Sequence, residues 1–201
     1  MAEMSRSADL ARKTGETDVR VSLALDDPAP REISTGVGFF DHMLELLARH
    51  GRLGLAVTVS GDLATGAHHT VEDTGIVLGQ AIDQALGDRR GIRRYGHAVV
   101  PMDEARAACA LDLSGRPFCA VEGLRPAPGA IAGFEHEAAE EFFRAVASGG
   151  RLTLHLDTQA GTNAHHMIEA CFKAFARALR IAVAIDPDEP GVPSTKGTLT
   201  A

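Results

Sequence analysis

Alternation of apolar and polar residues predicts most of the strands along this chain. In Asp18–Leu25, the residues Val19, Val21, Leu23 and Leu25 are apolar and those between them are polar or small. That period of two is typical of a strand with one buried face. Comparable patterns predict further strands over residues 53–61, 94–100, 105–113, 117–123 and 151–158.

Apolar residues at helical spacing predict four helices. They cover residues 39–51, 68–88, 136–150 and 163–183. Beyond residue 186 the sequence is rich in Pro and Gly and has no apolar periodicity, so a loop-like tail is expected there.

The order of these elements repeats within the chain. Residues 41–55 (DHMLELLARHGRLGL) align without gaps on residues 140–154 (EEFFRAVASGGRLTL), and each copy ends in G-R-L-x-L. A duplicated unit of strands, helix, strand and helix predicts an α+β fold, in which each half packs its helices on one face of a sheet. We expect one domain over 1–201, with halves at about 11–95 and 96–186 and a C-terminal loop tail.

Composition and charge narrow the classes of function. The 201 residues are 45% hydrophobic and 23% charged, with a formal net charge of −7. An acidic protein has no basic footprint for nucleic acid or an anionic membrane, although a few local cations can still bind a small anion. The three cysteines show no C-x-x-C spacing, and there is no apolar leader or run of transmembrane length. A reducing cytoplasm is the expected compartment.

The motif His-His-x-x-Glu occurs twice, and each copy opens a predicted helix. Residues i and i+4 share a helix face, so His68 pairs with Glu72 and His165 with Glu169. The second histidine of each copy projects about 100° away. Imidazole and carboxylate together suit a divalent ion such as Mn, Fe or Zn.

A single copy of this motif has an alternative explanation, a helix N-terminus that carries solvated polar residues. Two copies in register favour a metal site, because chance matches to a short motif seldom repeat in register. The repeat alignment also sets His42 opposite Glu141, each on the short helix before G-R-L. We therefore expect two sites, each with two imidazoles and one carboxylate from the motifs and one group from a short helix.

Six collinear segments together resemble the imidazoleglycerol-phosphate dehydratases, the hydro-lyases of histidine biosynthesis. The resemblance runs from about Ala11 to Gly197. The segments are ISTGVGFFDHML (33–44), HHTVEDTGIVLGQA (68–81), RRYGHAVVPMDEA (93–105), DLSGRPF (112–118), NAHHMIEACFKAFARAL (163–179) and PSTKG (193–197).

This resemblance implies a duplicated fold like domain 2 of ribosomal protein S5, assembled as an octahedral 24-subunit shell with active sites between subunits. It also implies two Mn(II) ions, or other divalent ions, in each active site. By position, the ligands of one ion would be His42, His69, His165 and Glu169. Those of the other ion would be His68, Glu72, His166 and Glu141.

Glu141 departs from the family pattern, because familiar members carry histidine at this position. A carboxylate oxygen also binds Mn or Fe, so we expect the site to be retained with altered metal affinity or pH dependence. The alternative is that Glu141 is solvated and water takes its place as ligand.

The resemblance also implies the residues that contact the substrate. Arg94, Arg116, Ser194 and Lys196 match positions that hold a phosphate, which suits guanidinium and ammonium groups. Glu16 matches a carboxylate that contacts substrate and transfers a proton. Together with the metal ligands His69 and Glu72, it is expected to carry catalysis.

The implied reaction is dehydration of D-erythro-imidazole-glycerol phosphate to imidazole-acetol phosphate and water, in L-histidine biosynthesis. It would proceed through an imidazolate bound to both metals and a diazafulvene-like intermediate. Two rivals remain open: a non-catalytic metal-binding shell protein that Glu141 has disabled, and a two-metal hydrolase. No macromolecular partner other than copies of the chain itself is expected.

Overall fold

The computed structural model describes residues 6–29 and 31–199. The first half contains, in chain order, β1 (Ser7–Lys13), β2 (Thr17–Ala24), β3 (Arg31–Ser34), α1 (Gly38–Gly51), β4 (Gly54–Gly61) and α2 (His68–Leu86). The second half contains β5 (Tyr95–Met102), β6 (Ala105–Asp112), β7 (Phe118–Glu122), β8 (Ala130–Ile131), β9 (Phe134–Glu135), α3 (Ala138–Gly149), β10 (Thr153–Ala160) and α4 (Ala164–Val183). A single 3-10 turn, Leu63–Thr65, joins β4 to α2.

Each half builds a four-stranded sheet with the same topology. The strand orders are β1-β2-β4-β3 and β5-β6-β10-β7. In both sheets the first two neighbouring pairs are antiparallel, and the last pair, β4 with β3 or β10 with β7, is parallel. The shared order and direction confirm the duplicated α+β fold predicted from the repeat.

The helices cover one face of each sheet and connect the two halves. Helix α2 lies on β1 and β2, and α4 lies on β5 and β6. The short helix of each half packs against the long helix of the other, α1 against α4 and α3 against α2. In β2 the side chains of Val19, Val21 and Leu23 are buried, whereas Arg20 and Ser22 are exposed. The halves therefore share a single apolar core rather than two separate ones.

Helices α2 and α3 approach each other backbone to backbone. A Cβ added at Gly75 would lie 2.8 Å from the carbonyl oxygen of Phe142, and one added at Gly79 would lie 2.5 Å from that of Val146. Any side chain at these positions would force the helices apart. This contact fixes the first motif relative to α3, the helix that carries Glu141.

The structure confirms every predicted strand and helix, with each end displaced by two residues or fewer. It adds β1, β3 and the hairpin of β8 and β9, which the apolar pattern did not predict. Strands β1 and β3 are the edge strands of their sheet, and among the described residues of β1 only Ala8 is fully buried. Such strands show little alternation because few of their side chains contribute to the core. The first half begins at Ser7, ahead of the expected residue 11.

The G-R-L sequence ends the short helix of both halves in the same way. The left-handed residue is the arginine rather than the glycine, with φ of 54° at Arg52 and 49° at Arg151. The next backbone N–H then bonds back into the helix, from Leu53 to the Ala48 carbonyl at 2.9 Å and from Leu152 to that of Ala147 at 3.1 Å. The repeat thus preserves a specific helix end as well as a sequence.

Candidate metal centre and anion pocket

The two His-His-x-x-Glu segments form the first turns of α2 and α4. The start of α4 is capped by Asn163, whose side chain accepts hydrogen bonds from the backbone N–H of His165 at 2.9 Å and of His166 at 3.3 Å. The start of α2 lacks a side-chain cap of its own; instead Glu135 accepts a hydrogen bond from the N–H of Ala67 at 3.3 Å. Both segments are therefore held as helix, which places the i and i+4 side chains on one face.

The second motif forms a compact group of possible metal ligands with α1. His165 Nε2 lies 3.0 Å from Glu169 Oε2, and His42 Nε2 lies 3.6 Å from the same oxygen. All three ligand atoms fall within 4.8 Å of one another, and no other such group of three exists among residues 6–29 and 31–199. Two imidazoles and a carboxylate form a donor set that fits Mn, Fe or Zn.

Glu169 is a buried carboxylate within this group and carries a negative charge. It is buried, and its carboxylate lies 2.5 Å from Lys173 Nζ one helical turn further along α4. Burial alone would raise the pKa of Glu169, but the hydrogen bonds and charges of Lys173 and His165 outweigh burial and lower it below its ordinary value. The carboxylate is therefore charged near neutral pH, as a metal ligand must be.

The first motif is more open within one chain. His68 Nε2 lies 3.7 Å from Glu72 Oε2, and the two side chains are 57% and 43% exposed. Glu141 lies in the first turn of α3 and lines a surface cavity with Arg144 and neighbouring residues. In the described part of the chain Glu141 does not form a three-ligand group with His68 and Glu72.

The second histidine of each motif faces away from the motif's first histidine and glutamate. It contacts a different carboxylate, from outside the motif. His69 Nδ1 lies 3.1 Å from Asp62, and His166 Nδ1 lies 2.7 Å from Glu104. The hydrogen bond to Asp62 raises the pKa of His69, and the bond to Glu104 raises that of His166 and contributes most to lowering the pKa of Glu104 to about 2. A carboxylate on one ring nitrogen orients the ring and leaves Nε2 for a ligand, as at many metal-binding histidines.

Asp62 and Glu104 were not predicted from the sequence. Glu104 lies in the turn between β5 and β6, where it also accepts hydrogen bonds from the N–H of Asn163 at 2.8 Å and of Thr162 at 3.1 Å. Glu16 lies in the corresponding turn between β1 and β2, with Oε1 3.8 Å from His69 Nε2. An alignment of the two first hairpins pairs Glu16 with Glu104, and that was the available signal for Glu104; Asp62 follows β4 and is not part of that hairpin.

A buried network holds the turn that carries Glu16. Asp73 follows the first motif on α2, pairs with Arg12 at 2.5 Å and accepts a hydrogen bond from the hydroxyl of Thr17. The hydroxyl of Thr14 accepts hydrogen bonds from the N–H of Glu16 at 3.1 Å and of Thr17 at 3.0 Å. The carboxylate predicted to move a proton therefore stands on a rigid turn beside His69.

The predicted phosphate ligands lie together at the other end of the fold. Arg94, Arg116, Ser194 and Lys196 line one cavity of about 790 Å³, with Tyr95. Arg94 Nε donates to Asp112 at 2.7 Å and its Nη1 to the carbonyl of Pro193 at 2.8 Å, which ties the C-terminal tail to this pocket. The tail lacks helix and strand as far as residue 199, as predicted, and it contributes much of the cavity wall.

The phosphate pocket lies far from His166 of the second motif within one chain. Arg94 precedes β5, and Glu104, the partner of His166, follows it. The seven residue steps of an extended eight-residue strand span about 23 Å, well beyond the length of a small phosphorylated imidazole. Within one chain, a substrate of that size therefore cannot contact both the phosphate pocket and His166.

Comparison with known proteins matches the chain to one family over most of its length. The family model described as imidazoleglycerol-phosphate dehydratase matches residues 35–179. Proteins of that name from Jannaschia sp. (strain CCS1) and Moorella thermoacetica are each 54% identical to this chain. The matches cover 96% and 98% of this chain and 100% of both relatives.

Solved structures agree with the fold. Imidazoleglycerol-phosphate dehydratase from Staphylococcus aureus subsp. aureus N315 matches with a TM-score of 0.81 and 40% identity, over 90% of this chain and 99% of that one. The Pyrococcus furiosus enzyme in complex with (S)-C348 matches with a TM-score of 0.81 and 35% identity, over 94% and 99%. No described helix has the length and apolar character needed to cross a membrane. The chain belongs to the imidazoleglycerol-phosphate dehydratase family, the hydro-lyases of histidine biosynthesis.

Proposed function

We propose that this protein removes water from D-erythro-imidazole-glycerol phosphate to give imidazole-acetol phosphate, using two divalent metal ions, of which Mn(II) is the expected one. The observation that carries the proposal is the group of His42, His165 and Glu169, whose ligand atoms lie within 4.8 Å in a chain of this family. It provides a preformed three-donor site of hard and borderline ligands where the resemblance expects a metal.

The residues present fit two ions rather than one. His42, His165 and Glu169 would hold the first, and His68 with Glu72 offer the same i, i+4 pair for the second. Glu141 is proposed to complete the second site. When bound, two ions would supply Lewis acidity at both nitrogens of the substrate ring, which the imidazolate and diazafulvene-like route requires.

The active site is proposed to lie between copies of the chain, in a homo-oligomer of 24 subunits. Two features support a shared site: His69 and His166 face away from the ligand pairs of their own motifs, and the phosphate pocket lies a strand length from the second motif. Each chain would contribute ligands to one site and phosphate-binding groups to another.

The protein's own residues would bind and orient the substrate. The phosphate would be bound by Arg94 and Arg116 through guanidinium N–H groups, with Lys196 as a compact charge and Ser194 as a hydrogen-bond donor. Holding both ends of the substrate fixes the glycerol chain between them, which converts binding energy into orientation of the bonds that break.

Glu16 is proposed to move the proton during dehydration. One C–H bond and the C–O bond on the adjacent carbon break, the hydroxyl leaves as water, and the resulting enol becomes the ketone. A carboxylate positioned at the reacting carbon performs such transfers. Glu16 is 57% exposed and lies 3.8 Å from His69, so it stands at the edge of the proposed metal site facing solvent or a neighbouring subunit.

The direct test is turnover of imidazole-glycerol phosphate by the purified protein loaded with Mn(II). Phosphorus NMR identifies the product. Formation of the acetol phosphate, lost on metal removal and restored by Mn(II), is the expected result. Hydrolysis to free phosphate would instead identify a two-metal hydrolase. An assembled, metal-loaded protein that leaves the substrate unchanged would identify a non-catalytic member.

A further inference from the structure

A second cationic cavity lies at the end of the helices opposite the His-His-x-x-Glu segments. It has a volume of about 830 Å³, and its charged lining consists of Arg6, Arg49, Arg52, Arg180 and Asp26. We name it the arginine pocket. It lies where α1 and α4 end, so it is separate from the ligands at the start of α4 and from the phosphate pocket beside the C-terminal tail.

Most of the charge in the arginine pocket has no carboxylate partner. Arg6 is paired with Asp26, with Nε donating to Oδ2 at 2.8 Å. Within residues 6–29 and 31–199, no ion pair involves Arg49, Arg52 or Arg180. The last turns of α1 and α4 carry about half a negative charge each, which offsets only part of this excess.

The duplication provides an internal comparison for this pocket. The repeat sets Arg52 opposite Arg151 and Arg180 opposite Asp83. Arg151 Nη1 lies 3.9 Å from Asp83 Oδ2, so opposite charges face each other at that end. In the arginine pocket, Arg180 occupies the position equivalent to Asp83. Arg52 and Arg180 therefore bring two positive charges to one cavity.

The arginine pocket is also the counterpart of the predicted phosphate pocket. Arg6 directly precedes β1, and its carbonyl accepts the N–H of Leu25 at 2.9 Å. Arg94 directly precedes β5, and its carbonyl accepts the N–H of Leu113 at 3.1 Å. Each of the two arginines pairs with an aspartate near the end of the second strand of its half: Arg6 with Asp26, two residues beyond β2, and Arg94 with Asp112, the last residue of β6. The same position in each half thus carries an arginine beside a cationic cavity.

The positive charge extends beyond this cavity. An adjoining cavity of about 360 Å³ shares Arg180 and adds Arg93 and Arg177. Burial lowers the pKa of nearby His50, and the charges of Lys173, Arg177 and Arg49 lower it further. The accumulated charge exceeds what one phosphate group would neutralise.

We propose that the arginine pocket binds an oligophosphate anion, through guanidinium groups that form paired hydrogen bonds with phosphate oxygens. The source would be either a free condensed phosphate or the triphosphate of a nucleotide. Apolar side chains, among them Leu25, Pro28 and Ile185, line the rest of the cavity and offer a wall for a nucleobase.

The test is calorimetric titration of the assembled protein with inorganic triphosphate and, separately, with ATP. Three proteins are compared: the parent, the double variant Arg52→Gln/Arg180→Gln, and the charge-matched control Arg20→Gln/Arg106→Gln. Binding is expected in the parent and the control, with affinity at least ~10-fold weaker in the pocket variant, because that variant loses two charge-assisted contacts to phosphate oxygens. Chelation of bound metal, or binding at the phosphate pocket, would be equal in all three proteins.

Equal affinities for triphosphate and ATP would identify the phosphate chain alone as the ligand, whereas clearly tighter ATP binding would identify a nucleotide. Absence of binding in the parent, or equal binding in the pocket variant, would overturn the proposal. Should the double variant fail to assemble, Arg49→Gln alone carries the same comparison, with an expected loss of several-fold.

Discussion

The two copies of His-His-x-x-Glu have the same sequence spacing but different surroundings. In the second copy, His165 and Glu169 meet His42 within 4.8 Å, and Lys173 holds the buried carboxylate charged. In the first copy His68 and Glu72 form an exposed pair, and no third ligand joins them among the described residues of one chain. A motif on a helix therefore sets two ligands, and the packed neighbour decides whether a third is present.

One device is common to both copies. The second histidine of each is oriented through Nδ1 by a carboxylate, from Asp62 in one half and from Glu104 in the other. These carboxylates come from non-equivalent loops, so the repeat alignment does not relate them. The contact through Nδ1 is therefore the same in both halves, although the residue that provides the carboxylate differs.

The largest effect is expected from removing the charged ligand of either copy. Glu72→Gln and Glu169→Gln should each lower kcat by ~10³-fold or more, because a neutral amide binds a divalent ion poorly and the Lewis acid is lost. His69→Ala should do the same. Steady-state kinetics check this, with Glu45→Gln, an exposed residue of α1, as the matched control. Retained activity in Glu72→Gln would show that only the second copy acts as a metal site.

A smaller effect is expected at the position where the two copies differ. Glu141→Ala should weaken the binding of one of the two metal ions by ~10–100-fold. The affinity for the other ion should not change, since His42, the counterpart of Glu141, stays in place. Glu141→His should restore binding. Titration of the metal-free protein with Mn(II), followed by electron paramagnetic resonance, measures both affinities. Unchanged binding in Glu141→Ala would assign Glu141 to solvent.

Removing the carboxylate that orients the second histidine should have a similar effect in both copies. Asp62→Asn and Glu104→Gln should each reduce metal affinity or kcat by ~10–100-fold, as is typical when a histidine loses its supporting carboxylate. Isothermal titration and kinetics on the two variants test this. A loss in only one of them would mean that the two histidines do not serve equivalent roles.

The first copy depends on a network that the second lacks. Asp73 on α2 pairs with Arg12 and Thr17, whereas the repeat sets Ala170 at the equivalent position. Asp73→Asn should lower the free energy of unfolding by roughly 1–3 kcal/mol and reduce kcat by loosening the turn that carries Glu16. Asp83→Asn is the control, because Asp83 is also on α2 and its loss breaks a different ion pair, with Arg89 beyond the helix end. It should destabilise the protein without the additional loss of kcat.

The smallest effect concerns Asp26, which Arg6 holds at the edge of the arginine pocket. The hydrogen bond from Arg6 lowers the pKa of Asp26, so the pair stabilises the folded state above the unfolded pKa near 3.9. That contribution is lost as pH falls through the lower, folded value. Because Asp26 is 56% exposed, Asp26→Asn should cost less than ~1 kcal/mol at pH 7, and the cost should be smaller at about pH 3, below the unfolded pKa. Urea unfolding at both pH values measures it; a constant difference would contradict the linkage.

Much of the fold could be predicted from the sequence, because the two copies of the repeat indicate the same order of strands and helices. Where apolar spacing was strong, as in α4, the element ends agreed within two residues. The i, i+4 spacing also brought His165 to 3.0 Å from Glu169. What the sequence did not predict depends on tertiary contacts. Glu104 reaches His166 from a turn 62 residues away, and an edge strand such as β1 carries too few buried residues to show a period.

Both copies of the motif are proposed to hold metal, despite their different surroundings in one chain. The most direct test of this proposal is the metal content of the purified, assembled protein by mass spectrometry, compared with Glu72→Gln and Glu169→Gln. Two Mn(II) ions per chain are expected in the parent and about one in each variant. One ion per chain in the parent, unchanged in Glu72→Gln, would contradict the proposal and leave the first copy without a metal.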